Sequence, residues 1–421
     1  MDKFIIKGGI TLRGELGVSG AKNASLALLP ATILAPGRSI LKNTPELNDV
    51  FTMIKLLRHI GAVVEFKDHV LSIETGSITN QTAPYEHVKK MRASVYVLGP
   101  LLTRYGRAKV SLPGGCAWGP RPINLHLEAL KKMGANIDLV DGYIVCETKR
   151  LRGENINFDI SSVGATGNIL MASVLAKGTT KIQNAATEPE IANLAKFLVK
   201  MGAKIEGIGT NILTIDGVDD LIPMEIDTIP DRIEAGTLLI AAAITNGSII
   251  LNDVDPESLS AVLLKLMSAG CKIKTFKNKI ELDASDLEIK NTDVSTSIFP
   301  GFPTDMQAQW TAFMSLANGK SLVCDTIYFD RFKHVPELVR LGANISVNDN
   351  TALVKGVNEL KGAKVMSTDL RASASLLLAG LAARGSTEIL RVYHLDRGYQ
   401  RIEEKLRSLG ADIERVVGKE F

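Results

Sequence analysis

The stretch SLPGGCAWGPRP, residues 111–122, sets Cys116 among three glycines and three prolines, with Arg121 five residues further on. Glycine and proline punctuate backbone structure, so the segment reads as a loop rather than a helix or a central strand. Such a loop is expected to be mobile, with a thiol near a guanidinium. The other cysteines, Cys146, Cys271 and Cys324, lie in or next to strand-like apolar runs and are expected to be buried small hydrophobes. None forms a CxxC pair, and no HExxH or carboxylate cluster is visible, so neither a thiolate zinc site nor a catalytic metal is expected.

The remaining reactive side chains recur at matched positions. Six apolar runs begin SGAKNASLAL, KKMRASVYVL, SSVGATGNIL, PDRIEAGTLL, PTDMQAQWTAF and TDLRASASLL. Each run is followed by a glycine: Gly37, Gly106, Gly178, Gly247, Gly319 and Gly385. Lys22 lies 15 residues before its glycine, Arg92, Gly164, Asp305 and Arg371 lie 14 before, and Asp231 and Asp369 lie 16 before. If the runs are helices, these residues mark their N-termini, about four turns from the end. Asp at such a position is an ordinary cap, and for Asp231 capping outranks chemistry. The cations Lys22, Arg92 and Arg371 sit where the helix dipole repels positive charge. An anionic ligand shared with the helix N-termini is the expected compensation. Arg121, Arg331 (YFDRFKH) and Arg397 (YHLDRGY) sit near turns, where a single cation is more often solvated than liganded. His126, in INLHLEAL, reads as a helix-face residue first and a ligand second.

These residues are positioned by a repeat. GAVV, GANI, GAKI, GCKI, GANI and GADI begin at Gly61, Gly134, Gly202, Gly270, Gly342 and Gly410, spaced by 73, 68, 68, 72 and 68 residues. Each follows an amphipathic helical stretch, and the glycine suits the left-handed position that ends a helix before a strand. The unit is therefore buried helix, strand, loop, amphipathic helix, strand. A helix apolar nearly all round is buried on every side. Six such units favour two domains of three, with the chain crossing near Lys22 and Pro230. The expected domains are 22–229, carrying the Cys116 loop, and 1–21 plus 230–421, which the opening strand KFIIKG would complete. With the helices of each domain parallel, their N-termini are expected to face one interdomain cleft.

The whole chain narrows the classes further. Its 421 residues, 45% hydrophobic and 23% charged with a formal charge of +3, fit a soluble α/β protein of two or three domains. No Lys/Arg run marks a nucleic-acid or membrane partner, and no apolar run approaches the roughly 20 residues of a bilayer span. The start MDKFIIKGG lacks a signal-like apolar region, so reduced thiols and a cytoplasmic location are expected. Neither GxxxxGK[ST] nor GxGxxG follows a strand, which leaves nucleotide hydrolysis and nicotinamide chemistry without support.

Eight segments, in order along the chain, carry a family resemblance: SGAKNA, KKMRAS, SLPGGC, NAATEPEI, PDRIEAGT, FPTDMQAQ, TDLRASAS and YHLDRGY. Together they resemble the bacterial UDP-N-acetylglucosamine enolpyruvyl transferases, from Met1 to the C-terminus. The resemblance implies an inside-out α/β barrel of two domains with three repeats each and no cofactor. It also implies transfer of the enolpyruvyl group of phosphoenolpyruvate to the 3′-hydroxyl of UDP-N-acetylglucosamine, by addition and elimination through a tetrahedral intermediate. Cys116 matches the family's general acid, which can form a covalent adduct with the phosphoenolpyruvate skeleton and is the target of fosfomycin. A thiol with an unperturbed pKa near 8.5 suits that role.

By the same comparison Asp305 is the base, and Lys22, Arg121 and Arg397 hold the phosphate and carboxylate of phosphoenolpyruvate. Asn23, Arg92, Ile327 and the segment Arg121, Pro122, Ile123, Asn124, Leu125 match sugar-nucleotide contacts. The backbone amides of Ser161, Ser162, Val163 and Gly164 are expected to serve the nucleotide as a helix N-terminus does. Asp369, Arg371, Glu188, Asp231, Arg331 and His394 match supporting positions, with Asp369 counted among the catalytic group. Two departures bear on nucleotide affinity: Ile160 stands where many members have Lys, and Asn124 replaces a common Asp. The related shikimate-3-phosphate enolpyruvyl transferases lack the SLPGGC loop. A non-catalytic sugar-nucleotide-binding repeat protein would need no acid–base pair, and a thiol hydrolase would need a Cys–His pattern that is not evident.

Overall fold

The computed structural model describes residues 2–89, 91–112 and 123–418. Cys116, Arg121 and Pro122 lie outside the described residues, and of Arg92 only the backbone is described. The chain divides into two compact units, Gly20–Ile229 and Met1–Ser19 with Pro230–Phe421.

Each unit holds three four-stranded mixed sheets built to one plan. In the first, Arg38–Lys42 pairs antiparallel with Val70–Glu74, which pairs antiparallel with Val63–Lys67. A short strand from another repeat then adds in parallel to the opposite edge. Thr82–Ala83 joins Arg107–Ser111, Asn155–Asn157 joins Thr179–Gln183, and Glu225–Asp227 returns to Arg38–Lys42. The three repeats of this unit therefore close in a ring. In the other unit, Val294–Ser295 joins Lys320–Cys324 and Lys364–Met366 joins Ser386–Leu390. The N-terminal segment supplies what remains. Arg13–Gly17 adds in parallel to Ser248–Asn252, while Lys3–Lys7 lies antiparallel between Ser386–Leu390 and Asp412–Val416.

The apolar runs are the buried helices. Every residue from Ile233 to Ile244 in Arg232–Ile244, and from Arg371 to Leu381 in Leu370–Ala382, is buried. These two helices and Gln307–Met314 pack on one another. Hydroxyls inside them satisfy themselves by donating to the carbonyl four residues back, as Thr237 does to Ile233, Thr311 to Gln307 and Ser373 to Asp369. The second run departs from a plain helix. It is a 3-10 turn, Arg92–Val97, followed by the α-helix Leu98–Tyr105. Pro100 has no N–H to donate to a carbonyl four residues back, so the α-helix restarts with Pro100 in its first turn. The amphipathic helices end as the spacing predicts, with Gly61 at φ 109° and Gly410 at φ 99°.

Cys146 and Cys271 are buried. Cys324 is only half-buried, contrary to expectation. In Lys320–Cys324 the inward-facing residues are Ser321 and Val323, and strand alternation turns Cys324 to the other face.

Candidate active site

Asp305 lies in the 3-10 turn Thr304–Met306, which leads into the buried helix Gln307–Met314. Two arginines clamp it. Nη2 of Arg331 donates to Oδ1 and Nη2 of Arg371 donates to Oδ2, each at 2.7 Å. Both guanidiniums are buried, whereas 27% of the Asp305 side chain is exposed. Burial alone would raise the carboxyl pKa. The charges of Arg371 and Arg331 outweigh it and hold Asp305 well below the usual carboxylate range. The same pairing raises Arg371 against the opposing pull of burial.

Asp325 supports this clamp from behind. Its Oδ1 accepts from the backbone N–H groups of Ile327 and Tyr328, both at 3.0 Å, and from Thr296 Oγ1 at 2.9 Å. Its Oδ2 accepts from Thr304 Oγ1 at 2.7 Å, and Thr304 Oγ1 in turn accepts from Arg331 Nη1 at 2.7 Å. One buried carboxylate thus fixes the Ile327 backbone, the Thr304 turn and the Arg331 fork together.

Asp231 and Asp369 are N-caps. Asp231 Oδ1 accepts from the N–H groups of Ile233 and Glu234, and Asp369 Oδ1 from those of Arg371 and Ala372, at 2.9 and 3.1 Å in each case. Asp369 also lies near His394, where its charge opposes the burial that lowers the histidine's pKa. Arg397 ends the 3-10 turn Val392–Arg397 and is half-buried. Its neighbour Asp396 is held through both oxygens by Arg415, at 2.9 and 2.6 Å.

In the other unit, Lys22 opens the helix Lys22–Ala31. Its ammonium meets Asp49 Oδ2 at 2.8 Å. At two of these helix starts a protein carboxylate lies opposite the cation: Asp49 for Lys22 and Asp305 for Arg371. Asn23 is exposed beside Lys22, and Glu188 is half-buried at the start of Pro189–Lys200.

Ser161, Ser162, Val163 and Gly164 form the half-buried start of Val163–Ser173, capped by Ser162 Oγ accepting from Ala165 N–H at 3.3 Å. Half-buried Ile123 and Leu125 flank exposed Asn124 at the start of Asn124–Lys132, and Ile160 and Ile327 are exposed. His126 lies on the helix Asn124–Lys132, on its buried face. Its imidazole lies beside Gly164, close to where a side chain there would begin, and Nδ1 is 3.0 Å from Asn168 Nδ2.

The structure therefore joins Asp305, Arg331, Arg371 and Ile327 into one cluster, and brings His126 of the Asn124 helix to Gly164. Sequence reasoning missed Asp49, Asp325, Gln309, Tyr399 and Arg415. For Gln309 a signal existed, because an amide inside an otherwise apolar helix must find buried partners. Among the described residues, no group of His, Cys, Asp and Glu could hold a metal ion, and no helix is long and apolar enough to cross a membrane.

The chain is similar to known proteins along its whole length. It is 60% identical to the UDP-N-acetylglucosamine 1-carboxyvinyltransferase of Chloroherpeton thalassium, covering 100% of this chain and 99% of that protein. It is 56% identical to the enzyme of the same name from Chlorobium phaeovibrioides, covering 100% of both. Among solved structures, the enolpyruvyl transferase NikO from Streptomyces tendae superimposes with a TM-score of 0.89 at 23% identity, over 99% of each chain. EPSP synthase from Acinetobacter baumannii superimposes with a TM-score of 0.76 at 18% identity, over 99% of this chain and 100% of that one. These two likenesses show the fold. The family model for EPSP synthase (3-phosphoshikimate 1-carboxyvinyltransferase) matches residues 6–406, and with the full-length relatives it establishes that this chain belongs to that family of enolpyruvyl transferases.

Proposed function

We propose that the protein transfers the enolpyruvyl group of phosphoenolpyruvate to the 3′-hydroxyl of UDP-N-acetylglucosamine and releases phosphate, which is the committing reaction of peptidoglycan synthesis. The observation that carries this reading is the identity of 60% and 56%, without truncation, to relatives named for that transfer. The Asp305 clamp supports it, because a carboxylate in a fixed orientation is what a hydroxyl acceptor needs.

In this reading Cys116 protonates the methylene carbon of phosphoenolpyruvate, and the sugar 3′-oxygen bonds to the adjacent carbon while its proton passes to Asp305. Elimination then breaks the bond from that carbon to the phosphate oxygen, the new methyl group returns a proton to the Cys116 thiolate to restore the alkene, and the proton on Asp305 leaves with the phosphate. Two arginines make Asp305 a weak base. Such a base suffices only when the hydroxyl proton has already become acidic. Carbon protonation therefore runs ahead of hydroxyl deprotonation, with the cationic character so formed making the attacking oxygen acidic.

Lys22, Arg121 and Arg397 hold the phosphate and carboxylate and offset charge as it moves. Asn23, Arg92, residues 121–125, Ile327 and the Ser161–Gly164 amides hold the sugar nucleotide. Glu188, Asp231, Arg331, Asp369, Arg371 and His394 support them.

Phosphate release should require phosphoenolpyruvate and UDP-N-acetylglucosamine together. Release with shikimate 3-phosphate in place of the sugar nucleotide would overturn the acceptor. Cys116→Ser should sharply lower turnover and leave nucleotide binding nearly intact.

A further inference from the structure

Behind the Asp305 clamp lies a buried polar hub centred on Tyr399, whose side chain is 2% exposed. Its hydroxyl oxygen is 3.1 Å from Arg371 Nη1, 3.2 Å from Gln309 Nε2 and 3.0 Å from Thr237 Oγ1.

The roles of these groups can be assigned by elimination. Arg371 only donates. Gln309 Nε2 faces the Asp305 carbonyl at 2.9 Å, which needs a donor, so the amide nitrogen points into the hub. The phenol oxygen therefore accepts from Arg371 and shares the second Gln309 N–H with Thr237 Oγ1, which also lies 3.2 Å from Nε2. The Thr237 hydroxyl donates its own proton to the Ile233 carbonyl at 2.7 Å, so it accepts the phenol proton. The Tyr399 hydroxyl thus makes the one donation and two acceptances open to it.

We infer that Tyr399 is a positioning residue for the proposed base: its hydroxyl sets the Arg371 fork on the Asp305 carboxylate and the Gln309 amide on the Asp305 carbonyl. Both ends of Asp305, side chain and main chain, are held by groups that share this one oxygen. Tyr399 also follows Arg397 by two residues and donates its backbone N–H to the Leu395 carbonyl at 2.8 Å. The hub therefore ties the Asp305 turn to the segment that carries Arg397. The inference rests on the reading of Asp305 as the group that takes the hydroxyl proton.

The charged groups around the hub are Arg371, Arg331, Asp305 and Asp231. Without the phenol, Arg371 is free to swing off Oδ2, and Asp305 keeps only Arg331. Tyr399→Phe removes one oxygen and leaves the ring in the core. It should lower kcat by about tenfold or more, the scale of a small misplacement of a reacting group. It should leave KM for phosphoenolpyruvate within about twofold and move the acid limb of the kcat/KM profile to higher pH. That limb reports free-enzyme groups, and a purely structural contact would leave it in place.

Thr237→Val, which removes the acceptor of the phenol proton at constant shape, should change both readouts in the same direction. Wild-type kcat and an unmoved acid limb in either folded variant would overturn the inference. Asp305→Asn, measured alongside, separates the two claims. Full turnover in that variant sinks the base assignment. Lost turnover there, with an unaffected Tyr399→Phe enzyme, sinks the positioning role alone.

Discussion

The ammonium of Lys22 and the carboxylate of Asp49 meet at 2.8 Å, with 12% and 6% of their side chains exposed. Lys22 opens Lys22–Ala31, and Asp49 lies in the first turn of Asn48–His59. Each sits at the positive end of a helix dipole, which suits the aspartate and opposes the lysine, so the pair settles a conflict that Lys22 alone would leave. Asp49→Asn should lower unfolding free energy by about 1–3 kcal/mol, the cost of stripping a charge-assisted partner from a covered site. It should also raise KM for phosphoenolpyruvate several-fold as the ammonium loses its fixed place. Thermal melts and initial rates check both, and an unchanged melt with an unchanged KM would show that Asp49 does not hold Lys22.

The low pKa of Asp305 makes the clamp pH-dependent in one direction. A carboxyl with a folded pKa below its unfolded value contributes stability above about pH 4, near the unfolded value, and loses it as pH falls through the folded value. Asp305→Asn should therefore be less stable than wild type at neutral pH, because two buried guanidiniums lose their counter-charge. The gap should narrow below about pH 4 as the wild-type carboxyl titrates. Denaturant unfolding at both ends of this range checks it, and a gap independent of pH would contradict the ion pairs.

Much of the scaffold could be read from spacing, because a glycine that ends a helix and an apolar run before a strand leave marks that local sequence carries. The six helix starts were visible in this way. Their partners were not. Asp49 lies 27 residues from Lys22, Arg331 lies 26 from Asp305 and Arg371 lies 66 from it. Neither periodicity nor composition encodes a side-chain pairing set by how successive helices pack. The same limit explains the cations. Their position at a dipole's positive end is evident from the sequence, but the carboxylates that meet Lys22 and Arg371 are not, because packing brings them from other elements. Asp325 was hidden for a related reason. It ends the strand-like run SLVCD, and its long-range hydrogen bonds arise only when that strand end meets the Thr296, Thr304 and Asn350 segments.

His126 should stay neutral well below the usual histidine range, and in one tautomer. Asn168 is oriented by Gly99 N–H donating to its carbonyl at 2.7 Å and by its own amide donating to Val95 O at 3.0 Å. Its Nδ2 therefore donates to His126 Nδ1, leaving the imidazole proton on Nε2, beside Gly164. Burial lowers the pKa to about 4. With the folded value below the unfolded 6.5, this histidine costs stability as pH falls from about 6.5 to about 4. Heteronuclear NMR should show the Nε2–H form throughout that window. Asn168→Asp should raise the pKa by offering a carboxylate to a protonated ring, and an Nδ1–H form in the wild type would refute the assignment.

Ile160 is 69% exposed and directly precedes the Ser161–Gly164 amides at the start of Val163–Ser173. An apolar side chain so exposed gains little from packing, and it adds no charge where the anionic sugar nucleotide is proposed to bind. Ile160→Lys should tighten binding of UDP-N-acetylglucosamine several-fold, with the gain shrinking as salt rises, since an exposed cation is readily screened. The same lysine should slightly destabilise the free protein, by about 0.3–1 kcal/mol, because it stands at the positive end of the helix dipole. Ile160→Gln adds polarity without charge and should reproduce neither effect. Calorimetric titration at two salt concentrations decides it. Equal affinities for wild type and Ile160→Lys at low salt would show that the nucleotide's charge does not come near this helix start.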